Sequence, residues 1–214
     1  MPSFGRRKNM IITGPIENFF KNPDSEPSAE GDGILFHLRR DLVKLLGAEG
    51  QHIRNASPHA MLSLMGVLAG IDYLSQVYSA EEGSRKKFAE TVRELCKITE
   101  EDSQAIYQLR CAIIHSIALS TISISNYRKG VRFNFEVTDD DAYPLIEKQS
   151  DNGNEVAYRV GFWKLRETFL AIVATLENIA RDVGHPKNAH VIDMIGQKHS
   201  EKILKAECIS GKHV

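Results

Sequence analysis

The chain has 214 residues, of which 42% are hydrophobic and 26% charged, which is typical of a globular protein with one large core. Its formal net charge of -1 excludes a general nucleic-acid coat protein, because such a protein needs a large positive surplus to displace counterions. The apolar stretch at residues 60–70 is shorter than the roughly 20 residues that span a bilayer, and residues 10–12 are too short for a signal-peptide core. We therefore expect a cytoplasmic protein with no membrane segment.

The three cysteines, Cys96, Cys111 and Cys208, are widely separated and form no CxxC pair. No second pair of Cys or His residues at short spacing completes a four-ligand zinc site. We expect no disulfide framework, no bound metal and no cofactor. The basic runs at residues 39–44, 85–87 and 128–132 are typical of solvated surfaces, with a small nucleic-acid patch as the alternative.

Three regions are expected along the chain. Residues 1–33 are predicted to form an N-terminal arm and flexible linker, because residues 22–33 combine prolines, glycines and acids without a large apolar side chain. Residues 34–186 are predicted to form a helical domain with a β insertion at about residues 121–161. The tail, residues 187–214, carries a weaker helical pattern and is expected to fray at its end.

Apolar residues that recur every three and four positions predict a series of helices in the central region. The first begins at Ile34 and ends before Gly47, a typical stop residue. The second is opened by Ser57 and Pro58, since the hydroxyl can cap free amides and proline is tolerated in a first turn. It continues to about Tyr78.

Three more helices follow the same spacing. A third, charged helix is predicted around Phe88 and Val92, and a fourth begins with a capping box at Thr99 and Asp102. The most regular pattern covers residues 165–183 and is closed by glycine and proline. It predicts a helix that faces the core or a partner.

The periodicity changes to two after Ser120, which predicts β-strands. Ile122 belongs to the first strand, residues 131–137 to the second and residues 156–160 to the third. A hairpin turn through residues 126–130 and an acidic loop before the third strand complete a small antiparallel sheet. We interpret the aromatic residues there as packing groups, with base stacking as the alternative; they are Tyr127, Phe133, Phe135 and Trp163.

Arg110 and His115 stand among large aliphatic residues in the fourth helix, in the segment YQLRCAIIHS. Five positions turn an α-helix by about 500°, so the two side chains leave it about 140° apart and roughly 7.5 Å along the axis. One helix does not direct both groups at one atom unless the long arginine stem crosses the gap or a second copy supplies the missing half. This spacing favours a composite site at a dimer interface.

The Arg110 to His115 segment resembles the Arg-x4-6-His motif of the HEPN superfamily (higher eukaryotes and prokaryotes nucleotide-binding). The resemblance covers about residues 34–183 and implies an antiparallel up-and-down helical bundle, here with the small β-sheet inserted between the last two core helices. It also implies a homodimer and a metal-independent endoribonuclease, often a toxin or defence component. Arg110 would hold the scissile phosphate, and His115 would exchange a proton near neutral pH.

Four neighbouring residues are candidate supports. A carboxylate at Asp72 is costly within an apolar run unless it finds a partner, so pairing with Arg110 or His115 is one interpretation and a solvent-facing position the other. Tyr107 and Ser116 are candidates to contact phosphate, although packing and backbone hydrogen bonds are the ordinary roles. Cys111 follows the arginine, where active HEPN members usually have a polar residue.

Cys111 and the nearly neutral charge support an alternative function: a non-catalytic HEPN module that binds RNA, a nucleotide or a protein partner such as an antitoxin. A third alternative is a structural helical interaction protein in which the motif is accidental.

Overall fold

The structure is a computed structural model that describes residues 13–27, 32–49, 60–123 and 127–209. The predicted cap at Ser57 and Pro58 and residue 126 of the predicted turn lie outside these ranges. The described part contains seven helices and four strands: α1 (Thr13–Phe19), α2 (Ile34–Leu46), α3 (Ala60–Tyr78), α4 (Ser84–Cys96), α5 (Glu100–Ser116), β1 (Ser120–Ile122), β2 (Arg132–Thr138), β3 (Ile146–Asp151), β4 (Glu155–Gly161), α6 (Phe162–Arg181) and α7 (Asn188–Ile209).

The chain is mainly helical, as predicted, and α3 is its central element. It packs against α2, α4, α5, α6 and α7. The segment Met61–Tyr78 has the length and mean hydropathy, 1.2, of a membrane-spanning helix, but its residues Leu68, Ile71 and Leu74 are fully buried in the core. The apolar character of α3 thus reflects its position inside the helical assembly.

The α5 helix is fixed at both ends by its own sequence. The Thr99 hydroxyl accepts a hydrogen bond of 3.0 Å from the amide of Asp102, which confirms the predicted N-terminal cap. Three acids occupy the first turn, where they interact favourably with the positive end of the helix dipole. At the other end Ile117 has a left-handed conformation, and its amide donates to carbonyls of the last turn. These ends define where the side chains of α5 emerge.

The region predicted as an arm and linker contains ordered contacts with the core. Helix α1 packs on α2 and α7, and Phe19 and Phe20 are buried. In the described part of residues 22–33, Asp32 is buried and forms an ion pair of 2.8 Å with Lys21. Composition alone did not reveal this pair, because the two residues are far apart in the sequence.

The prediction of an antiparallel sheet is wrong, because the sheet is mixed. Its strand order is β1-β2-β4-β3, with antiparallel pairing of β1 with β2 and of β3 with β4, but parallel pairing of β2 with β4. Strand β3 lies in the predicted acidic loop and is nearly all exposed, so it has no apolar alternation to detect. Strand β3 pairs antiparallel with one edge of β4, and β2 pairs parallel with the other edge.

The inner face of the sheet packs through aromatic rings. The ring of Phe133 stacks on those of Phe135 and Tyr158, with centroids 6.4 and 6.3 Å apart, and all three residues are buried. Strands β2 and β3 contact α5, and β4 contacts α6. These aromatic residues of the sheet are packing groups.

Glu101, in the first turn of α5, links the sheet to this helix. Its carboxylate accepts hydrogen bonds from Lys148 Nζ at 2.9 Å and from the Tyr158 hydroxyl at 3.3 Å. The Tyr127 hydroxyl donates to the Glu101 backbone carbonyl at 3.4 Å. Burial and the charge of Glu101 raise the pKa of Tyr127 to about 12 and also raise the pKa of Tyr158.

We expect the free energy of unfolding to fall at alkaline pH partly through Tyr127. The folded-state pKa, about 12, lies above the ordinary value of 10.0, so the stabilisation is complete below pH 10 and is lost as pH rises through 12. Urea unfolding between pH 9 and 12 should show a shallower decline for Tyr127→Phe than for the native chain. Parallel declines would exclude Tyr127 as a cause.

Arg166 of α6 caps the C-terminal end of α2 through hydrogen bonds to backbone carbonyls. Its side chain is only 3% exposed, and Nη2 donates to the carbonyls of Gly47 and Ala48 at 2.7 and 3.0 Å. These groups lie at the negative end of the α2 dipole, where a cation is stabilised. Burial lowers the pKa of Arg166, and the charge of Glu49 opposes that effect.

Replacing this buried cap should destabilise the whole fold. Arg166→Met removes the donor from the partly buried carbonyls of Gly47 and Ala48, at a cost of roughly 1–3 kcal/mol in the free energy of unfolding. Urea unfolding measures this loss. The matched control Arg181→Met, in which an exposed arginine of α6 is changed, should stay within about 0.5 kcal/mol of the native chain; equal effects would contradict the capping role.

Candidate functional site

The C-terminal half of α5 brings Arg110 and His115 into direct contact. Arg110 Nη1 lies 2.9 Å from His115 Nε2 within a single chain. The predicted angular gap between the two side chains is thus crossed by the arginine stem, which was one of the two alternatives. A guanidinium group only donates, so this contact is a hydrogen bond in the tautomer whose proton is on Nδ1, with Nε2 as the acceptor.

Asp72 of α3 holds the other end of the guanidinium group. Arg110 Nη2 donates to Asp72 Oδ2 at 2.8 Å, and the two side chains are 13% and 14% exposed. Of the two interpretations of Asp72, the structure shows the pairing with Arg110. Burial acts to lower the pKa of Arg110, but the hydrogen bond and charge of Asp72 raise it above its ordinary value.

Tyr107 and Cys111 form the wall beside Arg110. The Tyr107 ring centroid lies 5.9 Å from Arg110 Cζ, a cation–π distance, and 5.6 Å from the ring of Phe88 on α4. The Tyr107 hydroxyl contacts Ser84 and Cys111, and burial with the adjacent thiol raises the pKa of Tyr107. Cys111 also contacts Arg110, so the residue that departs from the motif belongs to the same cluster.

The site is open on the histidine side. His115 and Ser116 are exposed at the end of α5, so Ser116 lies near the site entrance and not in the cluster around Arg110. Each terminal nitrogen of Arg110 carries a second N–H that an incoming anion can use. In the described ranges Arg110 Nε and Asp72 Oδ1 are buried without a hydrogen-bond partner, which is uncommon for buried polar atoms.

These groups can bind an anion and move a proton. A partly buried guanidinium attracts an oxyanion more strongly than one in bulk water, and the adjacent neutral imidazole can accept a proton. Among the residues that the structure describes, no group of three or more His, Cys, Asp or Glu side chains is placed to hold a metal ion. No sequence pattern indicated Ser84 and Phe88 as neighbours, because they approach Tyr107 from another helix.

Comparison of the chain with protein-family models, with curated proteins and with solved structures gave no match. The functional argument therefore depends on the chemistry and geometry of these residues.

A double-mutant cycle tests the coupling of Asp72 with Arg110. Asp72→Asn leaves the partly buried Arg110 cation without its counter-charge, and Arg110→Met leaves the Asp72 carboxylate without its cation. Each should therefore lower the free energy of unfolding by roughly 1–3 kcal/mol. The double variant should lose less than the sum by about 1 kcal/mol or more, as measured by urea unfolding. Additive losses would show that the ion pair contributes nothing.

Proposed function

We propose that this protein is a HEPN-like, metal-independent endoribonuclease. The observation that supports the proposal best is the contact of Arg110 Nη1 with His115 Nε2, because it places an anion-binding group beside a neutral imidazole. RNA carries both a phosphate for the first group and a 2′-hydroxyl for the second. Asp72 acts as a positioning residue that keeps the guanidinium beside the histidine.

The proposed reaction uses the 2′-hydroxyl of the substrate as nucleophile. A bound phosphate oxygen takes the hydrogen bond of Arg110 Nη1 in place of His115 Nε2. Nε2 is then free to remove the proton from the 2′-hydroxyl, and the 2′-oxygen attacks the adjacent phosphorus. The bond from phosphorus to the 5′-oxygen breaks, the 5′-oxygen takes up a proton, and a 2′,3′-cyclic phosphate remains. Arg110 donates to the non-bridging oxygens while negative charge accumulates on them.

We also propose that the protein acts as a homodimer in the cytoplasm, with Arg110 and His115 of both chains lining one cleft. Ile117, two residues after His115, is 65% exposed, and an apolar side chain there is suited to a protein contact. In such a dimer the imidazolium of one chain can protonate the leaving 5′-oxygen. A role as a toxin or defence component, restrained by an antitoxin, follows from the family resemblance.

The second candidate is a non-catalytic HEPN module that binds RNA, a nucleotide or a protein. Cys111 favours it, because a thiol is a weak hydrogen-bond donor and acceptor where active members usually have a stronger polar group. In this function Arg110 binds an anion and His115 moves no proton.

Cleavage of mixed RNA in EDTA separates the two candidates. The native chain should cut RNA, His115→Ala should lower the rate by roughly 10²–10⁴-fold, and Arg110→Gln by roughly 10²–10³-fold. Arg181→Gln serves as the control for a lost arginine on an exposed surface. Product ends are checked for a 2′,3′-cyclic phosphate.

Two results would contradict the nuclease. If RNA stays intact but is retained by the native chain and not by Arg110→Gln, the protein is a binding module. If cleavage persists unchanged in His115→Ala, the activity does not come from this site.

A further inference from the structure

A polar groove lies between α4 and α5 on the far side of Tyr107. It has a volume of about 450 Å³. Its lining combines Gln104 of α5 and three cations with four carboxylates: Arg85, Lys86, Arg93, Glu81, Glu90, Glu94 and Glu100. Gln104 precedes Tyr107 by three positions, and Arg110 follows Tyr107 by three, so Gln104 and Arg110 are roughly 9 Å apart along the helix. Ser84, which precedes Arg85, contacts the Tyr107 hydroxyl, so Tyr107 links the α4 side of the groove to Arg110.

Gln104 presents an unused hydrogen-bond acceptor. Its side chain is 4% exposed, and Nε2 donates to Glu100 Oε1 at 2.8 Å. Because a carboxylate only accepts, this bond fixes which end of the amide is nitrogen. The other end, Oε1, is buried with no partner among the described residues. A donor that reached it would remove the cost of an unsatisfied carbonyl.

Arg85 supplies a positive charge that acts on Glu100 through space. The hydrogen bond from Gln104 and the charge of Arg85 both help to lower the pKa of that carboxyl, but Arg85 forms no close ion pair with a described residue. The carboxylates of the groove already have partners. Glu100 pairs with Arg93 at 2.6 Å, Glu81 lies 3.9 Å from Lys86, and Glu90 and Glu94 both pair with Lys187. In the described ranges no ion pair or side-chain hydrogen bond involves Arg85, which is half-buried at the start of α4. The groove therefore combines one cation that has no close ion pair with one buried acceptor that has no partner among the described residues; a turn of the Gln104 side chain would expose this acceptor to a ligand.

We propose that this groove binds the nucleotide next to the scissile phosphate. Arg85 binds the phosphate of that nucleotide, and Gln104 Oε1 accepts a hydrogen bond from an exocyclic amino group of its base. Adenine and cytosine carry such a group, whereas uracil does not. The volume suits a small polar ligand, and its position beside Tyr107 and Arg110 favours a strand that continues into the site.

This inference rests on the proposal that Arg110 and His115 act on RNA, so binding is measured separately from cleavage. Fluorescent eight-nucleotide oligomers of adenosine, cytidine, uridine and purine riboside, which lacks the amino group, are titrated in EDTA against the His115→Ala protein. Adenosine and cytidine oligomers should bind roughly 3- to 10-fold more tightly than the other two, the range for one neutral hydrogen bond.

Two further substitutions, each made in the His115→Ala background, assign the contacts. Gln104→Met, which keeps the side-chain length, should abolish the preference for amino-bearing bases while weak binding of all oligomers remains. Arg85→Gln should lower the binding affinity for every oligomer by roughly tenfold or more, as expected for the loss of a charge-assisted hydrogen bond. Arg132→Gln is the matched control, since Arg132 of β2 also has no ion pair among the described residues; thermal unfolding verifies that each variant is folded.

The outcomes distinguish the proposal of a nucleotide subsite from the proposal of nuclease activity. Equal binding of all four oligomers, or a preference that survives Gln104→Met, overturns the nucleotide subsite even if the native protein cleaves RNA. A preference that depends on Gln104 and Arg85 supports the subsite even if no cleavage occurs, and then only the nuclease proposal fails.

Discussion

The ion pair between Arg110 and Asp72 is the constraint on which the candidate site depends. Both side chains are largely withdrawn from water, and in the described part of the chain Asp72 provides the only salt bridge to Arg110. A partly buried ion pair contributes little net stability, but loss of either member is costly, so the geometry is strongly specified. Because Asp72 belongs to the most buried helix, the guanidinium is fixed relative to the core. An exposed histidine at the end of α5 then meets a cation that cannot move freely.

The remaining structure holds α5 in the orientation that this pair requires. The β insertion contacts its first turn through Glu101 and Lys148, and Phe88 of α4 packs against Tyr107 in its middle. The helix ends at the left-handed Ile117, which limits fraying beyond His115. The sheet is thus connected to the site indirectly: it holds the start of the helix whose other end carries the reactive groups.

Helix positions and the proximity of Arg110 to His115 were predictable from the sequence because both depend on local spacing. The Thr99 cap, the stop at Gly47 and the long pattern of α6 each involve residues within a few turns of one another. The parallel pairing of β2 with β4 was not predictable, since alternation determines which face a residue occupies and not the direction of the neighbouring strand. Arg166 illustrates the same limit, because its carbonyl partners at Gly47 and Ala48 are more than a hundred positions away.

A chain with a net charge of -1 can still act on RNA if few phosphates are bound and each contact is specific. For a single strand, each bound phosphate adds only about -0.7 to the slope of the logarithm of the binding constant against the logarithm of the salt concentration. In the proposed complex, two guanidinium groups, Arg110 and Arg85, would therefore give modest affinity that falls little with salt. Most of the surrounding acids are already paired, as Glu100 is with Arg93, so they repel an incoming phosphate less than their number suggests. Discrimination among RNA sequences then depends on short-range hydrogen bonds, and the unpartnered carbonyl of Gln104 is the group in the groove between α4 and α5 that is placed to provide one.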